Sequence, residues 1–284
     1  KLGLKNTFLF LSTFIIVSCG GGGGGGGSSP TPALLFPTIT FSTSSTSVLV
    51  DESTTLTWSS SNSTSCSASW TSQTSTSGTE TINISSAGDN TFSISCIGEG
   101  GTSNKSLTVE GYRNTTGVIV DGYVTGANVF IDEDQNWTLD ASESSTTSDN
   151  EGKFTIKYSN GYLVSLGGID LDSQTALDNL LLTHKLTGHT DFKVVTPLTS
   201  VAAFMNDASN TNAALGIDSD INIATFDPVA NKGDGGVNDF LYEKGNQLTV
   251  LAYALQNITN DLKTTTDSTQ DYFKAISEEI EAEF

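Results

Sequence analysis

Thr91-Phe92-Ser93-Ile94-Ser95-Cys96 alternates hydroxyl-bearing and apolar side chains down to its cysteine. Successive side chains of a strand point to opposite faces, so this pattern builds one apolar and one solvated face and predicts a half-buried β-strand. The same alternation recurs on both sides, in Thr38-Ile39-Thr40-Phe41, Thr55-Leu56-Thr57-Trp58, Thr81-Ile82-Asn83-Ile84 and Ser106-Leu107-Thr108-Val109. Gly78, Gly88-Asp89-Asn90 and Gly98-Glu99-Gly100-Gly101 punctuate the strands as turns. Short strands with regular turns predict an antiparallel β-sandwich over residues 38–110.

Upstream, Lys1 and Lys5 precede the apolar run Phe8-Leu9-Phe10-Leu11-Ser12-Thr13-Phe14-Ile15-Ile16-Val17-Ser18-Cys19, and residues 20–27 are all glycine. A basic start, a short apolar run and a small residue before a cut site make an export signal. The run is too short to span a bilayer, which takes about 20 apolar residues. Ile16-Val17-Ser18-Cys19 resembles the lipobox of bacterial lipoproteins. The resemblance implies that residues 1–19 are a signal peptide and that Cys19 is acylated on its thiol to become the mature N-terminus. Gly20 after the cysteine, with no Asp there, implies the outer membrane over the inner one. Residues 20–37, rich in Gly, Ser and Pro, cannot bury a core and read as a flexible linker. With Cys19 used for the lipid, Cys66 and Cys96 remain as an even pair in an oxidising compartment, which predicts a disulfide.

Ser47-Val48, Ser53-Thr54-Thr55-Leu56-Thr57-Trp58-Ser59-Ser60, Cys66 and the stretch ending at Cys96 resemble the immunoglobulin-like modules of bacterial surface proteins. In antibody domains the core Trp follows the first Cys, whereas Trp58 precedes Cys66. The expectation is therefore a disulfide that clamps a loop to a strand and does not bridge two sheets. Such modules are mostly scaffolds, and this stretch contains no histidine.

Residues 115–195 carry the chemistry. Val118-Ile119-Val120, Ala127-Asn128-Val129-Phe130-Ile131 and Lys153-Phe154-Thr155-Ile156-Lys157-Tyr158 read as strands. Between the second and third lies Asp132-Glu133-Asp134-Gln135-Asn136-Trp137-Thr138-Leu139-Asp140-Ala141-Ser142-Glu143. Asp132, Asp134, Asn136, Asp140 and Glu143 fall at positions 1, 3, 5, 9 and 12, and Thr138 at position 7 offers a backbone carbonyl. That is the ligand spacing of a calcium loop. Calcium takes six to eight oxygens at about 2.3–2.6 Å, and alternate residues in a tight loop turn their oxygens inward. Position 6, where such loops place glycine, is Trp137. The loop follows a strand, so it reads as an EF-hand-like loop inserted in a β-sandwich. The other reading of the same residues is a solvated acidic hairpin.

The surroundings, Gly117-Val118-Ile119-Val120-Asp121-Gly122-Tyr123-Val124, Gly126-Ala127-Asn128-Val129 and Thr147-Ser148-Asp149-Asn150-Glu151-Gly152-Lys153-Phe154, resemble carboxypeptidase-regulatory-like modules. These are prealbumin-like β-sandwiches of bacterial surface proteins, and the resemblance implies a structural or binding module without catalytic residues. Further strands are expected at Tyr162-Leu163-Val164-Ser165-Leu166, Leu180-Leu181-Leu182-Thr183 and Phe192-Lys193-Val194-Val195. Gly167-Gly168-Ile169-Asp170-Leu171-Asp172 reads as a turn.

At Pro197 the period becomes helical. Thr196 is placed to cap a helix with Pro197 at its first position. Leu198, Val201, Ala202 and Met205 share a face, and a short helix over 208–215 stops at Gly216. Helices over 237–262 and 270–284 follow. The first directs Phe240, Leu241, Leu248, Leu251, Ala252, Leu255 and Ile258 to one broad face; the second turns Tyr272, Phe273, Ile276 and Ile280 inward. Asp207, Asp218, Asp220, Asp227, Asp234 and Asp239 lie in connections or near helix starts, where negative charge is favourable. The pattern is still helical at Phe284, so residues 196–284 read as a truncated helical region.

Twelve Lys and Arg against 32 Asp and Glu leave a net charge of −20, which repels phosphate backbones and argues against nucleic-acid binding. The chain shows no Gly-x-Ser-x-Gly elbow and no phosphate-binding loop, and its two histidines, His184 and His189, lack metal-site spacing. The sequence thus predicts a mainly β chain, two β-sandwich modules followed by an α-helical C-terminal region, that is not an enzyme. The implied setting is the bacterial outer membrane, with Cys19 anchoring the chain through lipid and the modules at the cell surface. Calcium is the implied cofactor, an extracellular protein or glycan the implied partner, and display or adhesion the implied role. The alternative is the non-catalytic N-terminal part of a secreted hydrolase or carbohydrate-binding protein.

Overall fold

The structure, a computed structural model, describes residues 33–189, 192–205, 211–230, 232–233, 235–262 and 269–283. Cys19, the signal peptide, most of the Gly/Ser/Pro linker, Asp207 and Asp234 lie outside the described residues, as does the side chain of Ile258. The chain is mainly β, with helices following the strands.

Each alternating stretch becomes a strand. β1 (Thr38–Thr43), β3 (Ser53–Ser61) and β5 (Ser77–Asn83) form an antiparallel sheet in the order β1-β3-β5. β2 (Ser47–Leu49), β4 (Ser65–Ser67), β6 (Gly88–Gly98) and β7 (Gly101–Tyr112) form a second, ordered β2-β7-β6-β4, with β2 parallel to β7. The apolar faces of both sheets share two clusters. Leu56 of β3 packs with Val48, Ile84 and Val109, and Trp58 of β3 packs with Cys66, Ile94 and Cys96. Trp58 is 2% exposed, and its indole N–H donates to the Ser75 carbonyl at 3.1 Å, so the buried polar edge of the ring is satisfied. Trp70 stacks on Phe41, meets Trp58 and Phe92 edge-on, and donates to the Ser93 carbonyl.

Cys66 and Cys96 form the disulfide. They stand directly opposite in the antiparallel β4–β6 register. The bridge therefore joins two neighbouring strands of one sheet, and the expected clamp of a loop to a strand is corrected: Cys66 is itself a strand residue.

β8 (Asn114–Ile119) sits between β12 (Lys153–Lys157) and β17 (Phe192–Val195), the latter parallel to it. β10 (Asn128–Asp132) pairs with β11 (Ser145–Thr147) and with β13 (Tyr162–Leu166), which pairs in turn with β16 (Leu181–Lys185). Short β14 (Ile169–Asp170) lies between β9 (Val124–Thr125) and β15 (Thr175–Ala176), so part of the expected turn after Gly168 is strand.

α1 (Pro197–Ala202) starts as read. Thr196 is extended at φ −137°, its hydroxyl accepts from the Thr199 amide, and the Thr199 hydroxyl accepts from the Thr196 amide. α2 (Thr211–Leu215) stops before Gly216 at φ +68°, and α3 (Val237–Leu262) and α4 (Thr269–Glu283) follow. On α3 the buried positions are Leu241, Gly245, Thr249 and Ala252, while Phe240 and Leu251 are 40% and 44% exposed. Leu248 and Leu255 pack against the core beside Leu241 and Ala252, so the expected face is inward except at its edges, Phe240 and Leu251. The helices do not bury their apolar faces on one another alone. Val201, Met205, Ala252, Tyr272, Phe273 and Ile276 join Ile119, Val129, Ile131, Leu163 and Val195 in one core.

Candidate metal centre

Asp132 ends β10 with its side chain fully buried, opposite Tyr162 in the β10–β13 register. A buried carboxylate must find donors, and the chain doubles back to supply them. Asp132 Oδ1 accepts from the Gln135 amide at 2.7 Å and Oδ2 from the Trp137 amide at 2.9 Å. The reversal puts Gln135 at φ +64° and Trp137 at φ +62°. A left-handed residue other than glycine costs about 1–2 kcal/mol. At Trp137 the indole offsets this by meeting Tyr162 edge-on at 5.1 Å and Phe204 at 5.5 Å between ring centres, over Phe130, Val164 and Leu181. Trp137 therefore adopts the conformation that glycine usually supplies at this loop position, held there by its ring.

Glu143 closes the loop, its two oxygens accepting from the Glu133 amide at 2.8 Å and the Asp140 amide at 3.0 Å. Oxygens of Asp132, Asp134 and Glu143 all lie within 4.8 Å of one another. Oxygens this close can share one cation, and the spacing does not select among metals. Among the described residues no lysine or arginine forms an ion pair with any of the three. Burial pushes the Asp132 carboxyl up, opposed by the Trp137 and Gln135 amides, and the Glu143 charge adds to the rise.

The other predicted ligands are placed differently. Asp140 is not in the three-carboxylate group. Asn136 directs its amide nitrogen, not its oxygen, at Asp134 (3.0 Å) and Asp140 (2.8 Å). Its oxygen accepts from the Thr138 amide and hydroxyl. An Asn136 oxygen ligand thus requires the amide to turn over, whereas each oxygen of Glu143, like each of Asp132, accepts one amide and keeps a second lone pair for a cation. The donor set, hard oxygens on a short loop, fits a hard cation such as calcium.

Among the described residues no other such group gathers. His184 Nδ1 bonds the Val194 carbonyl, and His189 Nε2 bonds the Asn114 carbonyl beside the Tyr158 ring. Asp170 accepts from the Asp172 amide and the Ser173 hydroxyl, and Asp172 pairs with Lys232 and Tyr242. Both carboxylates are thus used in structure. The packing role of Trp137 and the amide-binding role of Glu143 had no signal in the spacing of the loop.

No protein-family model matches the chain, and a search of curated proteins finds no similar sequence. Among the described residues no helix is long and apolar enough to cross a membrane.

Proposed function

We propose that this chain is a lipid-anchored protein of the bacterial outer membrane, held by acylated Cys19 and displayed at the cell surface. In this reading residues 38–110 are an immunoglobulin-like β-sandwich and residues 115–195 a carboxypeptidase-regulatory-like β-sandwich. Both act as non-catalytic scaffold for display or adhesion toward an extracellular protein or glycan. Calcium stabilises the second module from the loop of residues 132–143, because an ion that binds only the folded state adds to its stability. The observation that carries the reading is the gathering of Asp132, Asp134 and Glu143 oxygens without a basic partner among the described residues. The Ile16-Val17-Ser18-Cys19 sequence supports the anchor.

Calorimetric calcium titration of the EGTA-treated full chain tests the loop. A saturable site that is lost in Asp134→Asn is expected; Asp134 is exposed, so the fold is retained. Absence of both heat and a rise in melting temperature returns the loop to a solvated acidic hairpin. Incorporation of labelled palmitate, abolished by Cys19→Ser, tests the anchor, and protease shaving of intact cells tests its display.

A further inference from the structure

We propose that the cavity bounded by β16, β17, the end of α1 and the connection after α2 binds a small monocarboxylate with an apolar body, its carboxylate paired with the Lys193 ammonium. The cavity measures about 500 Å³, within the range of small-molecule sites. None of the residues lining it belongs to the acidic loop, and the proposal does not depend on the calcium reading.

Lys193 lies inside β17, opposite Gly117 in the parallel β17–β8 register, and lines the cavity. It is 4% exposed, and among the described residues no carboxylate or hydrogen-bond acceptor meets its ammonium. Its Nζ is not one of the fully buried polar atoms, so the stem is buried while the ammonium keeps the small exposure that remains; a lysine this enclosed without a counter-charge is unusual. Burial draws its basicity down; an anion entering the cavity would restore the charged form.

The rest of the lining defines the ligand. His184, 4% exposed, donates from Nδ1 to the Val194 carbonyl at 2.8 Å, so its Nε2 carries no proton. It adds no second positive charge. The Thr211 hydroxyl lines the cavity, is buried and has no partner among the described residues, leaving one more donor for a carboxylate oxygen. Ala203, Met205, Ile221 and Ile223 make much of the remaining wall apolar. Asp220, the acidic residue among the described lining, is exposed, as is Lys185. Thr187, Thr199, Asn212, Ser219 and Asn222 add polar groups to the wall, but Lys193 is its one enclosed cation, which suits a single negative charge on a ligand with an apolar body. A phosphate dianion would bring a second negative charge with no second enclosed cation and would meet the His184 lone pair.

The test is calorimetric titration of the full chain at pH 7 with hexanoate, hexan-1-ol and inorganic phosphate. Saturable hexanoate binding is expected, at least tenfold tighter than hexan-1-ol or phosphate. In Lys193→Met, which keeps the length of the side chain and removes its charge, hexanoate binding should weaken at least tenfold while the hexan-1-ol response stays. Unsaturable hexanoate, hexan-1-ol or phosphate binding as tightly as hexanoate, or hexanoate binding unchanged in a folded Lys193→Met protein would overturn the assignment. Should that variant not fold, the three titrations of the unaltered chain decide alone.

Discussion

Trp137 sets two opposing terms against each other, and substitution can separate them. Its backbone is left-handed at φ +62°, and its ring packs on Tyr162 and Phe204. Trp137→Ala keeps the unfavourable backbone and removes the ring. Two aromatic pairs worth about 0.5–1.5 kcal/mol each, plus part of the area burial of a half-exposed indole, put the cost at about 2–4 kcal/mol. Trp137→Gly loses the same ring but relieves a backbone penalty of about 1–2 kcal/mol. Glycine returns about 0.4–1 kcal/mol of that by loosening the unfolded chain. The glycine variant is therefore expected to be more stable than the alanine variant by about 0.5–1 kcal/mol, and both less stable than the unaltered protein. Urea unfolding followed by circular dichroism, in excess EGTA to remove any bound cation, measures the difference at constant denaturant slope. A glycine variant equal to or below the alanine variant would refute a left-handed residue 137. An alanine variant matching the unaltered protein would refute the ring packing.

Asp121 is pushed up to about 7 by burial, with the Thr249 hydroxyl opposing and the Asp170 charge adding. Between about pH 4 and 7 the folded chain thus keeps a proton that the unfolded chain has released, so this group's stabilisation is lost as pH rises through that window. Asp121→Asn keeps an acceptor for Thr249 and should gain a few kcal/mol (~2–4) over the unaltered protein at pH 8, none near pH 4, in paired urea melts. His184, held down at about 4 by burial, has the opposite slope below its ordinary 6.5, but it is common to both proteins and cancels in the comparison. Replacing Cys66 and Cys96 by alanine opens a cross-link over a separation of 30 residues and should cost about 3–4 kcal/mol in the chain-entropy model, read as a lower urea midpoint. Gly117→Ala should cost about 1–3 kcal/mol by overpacking, because the added carbon would sit 2.1 Å from the Lys193 carbonyl and 2.6 Å from the Phe154 ring; a melting temperature unchanged from the parent would contradict that close approach.

Periodicity made much of the fold legible. Alternation at period 2 marked β1, β3, β6 and β12, and the change of period at Pro197 marked the helices, because burial of one face demands the repeat of the backbone that carries it. The Thr196 cap and the 237–262 helix were legible for the same local reasons. The acidic loop was legible as spacing alone. Spacing could not show that the Asn136 nitrogen faces the carboxylates, that both oxygens of Glu143 accept from backbone amides, or that Trp137 is held by rings 25 and 67 residues further along the chain, at Tyr162 and Phe204.

What the sequence by itself determined is local: which residues alternate, where helices start, and which side chains can ligate or cross-link. Tertiary structure alone decided that Cys66 and Cys96 are cross-strand neighbours in one sheet, that α3 turns Leu241 inward and leaves Phe240 exposed, and that Lys193 is enclosed beside a cavity. The physical reason is that burial is a property of what packs against a residue. Those partners come from distant parts of the chain, so no local repeat encodes them.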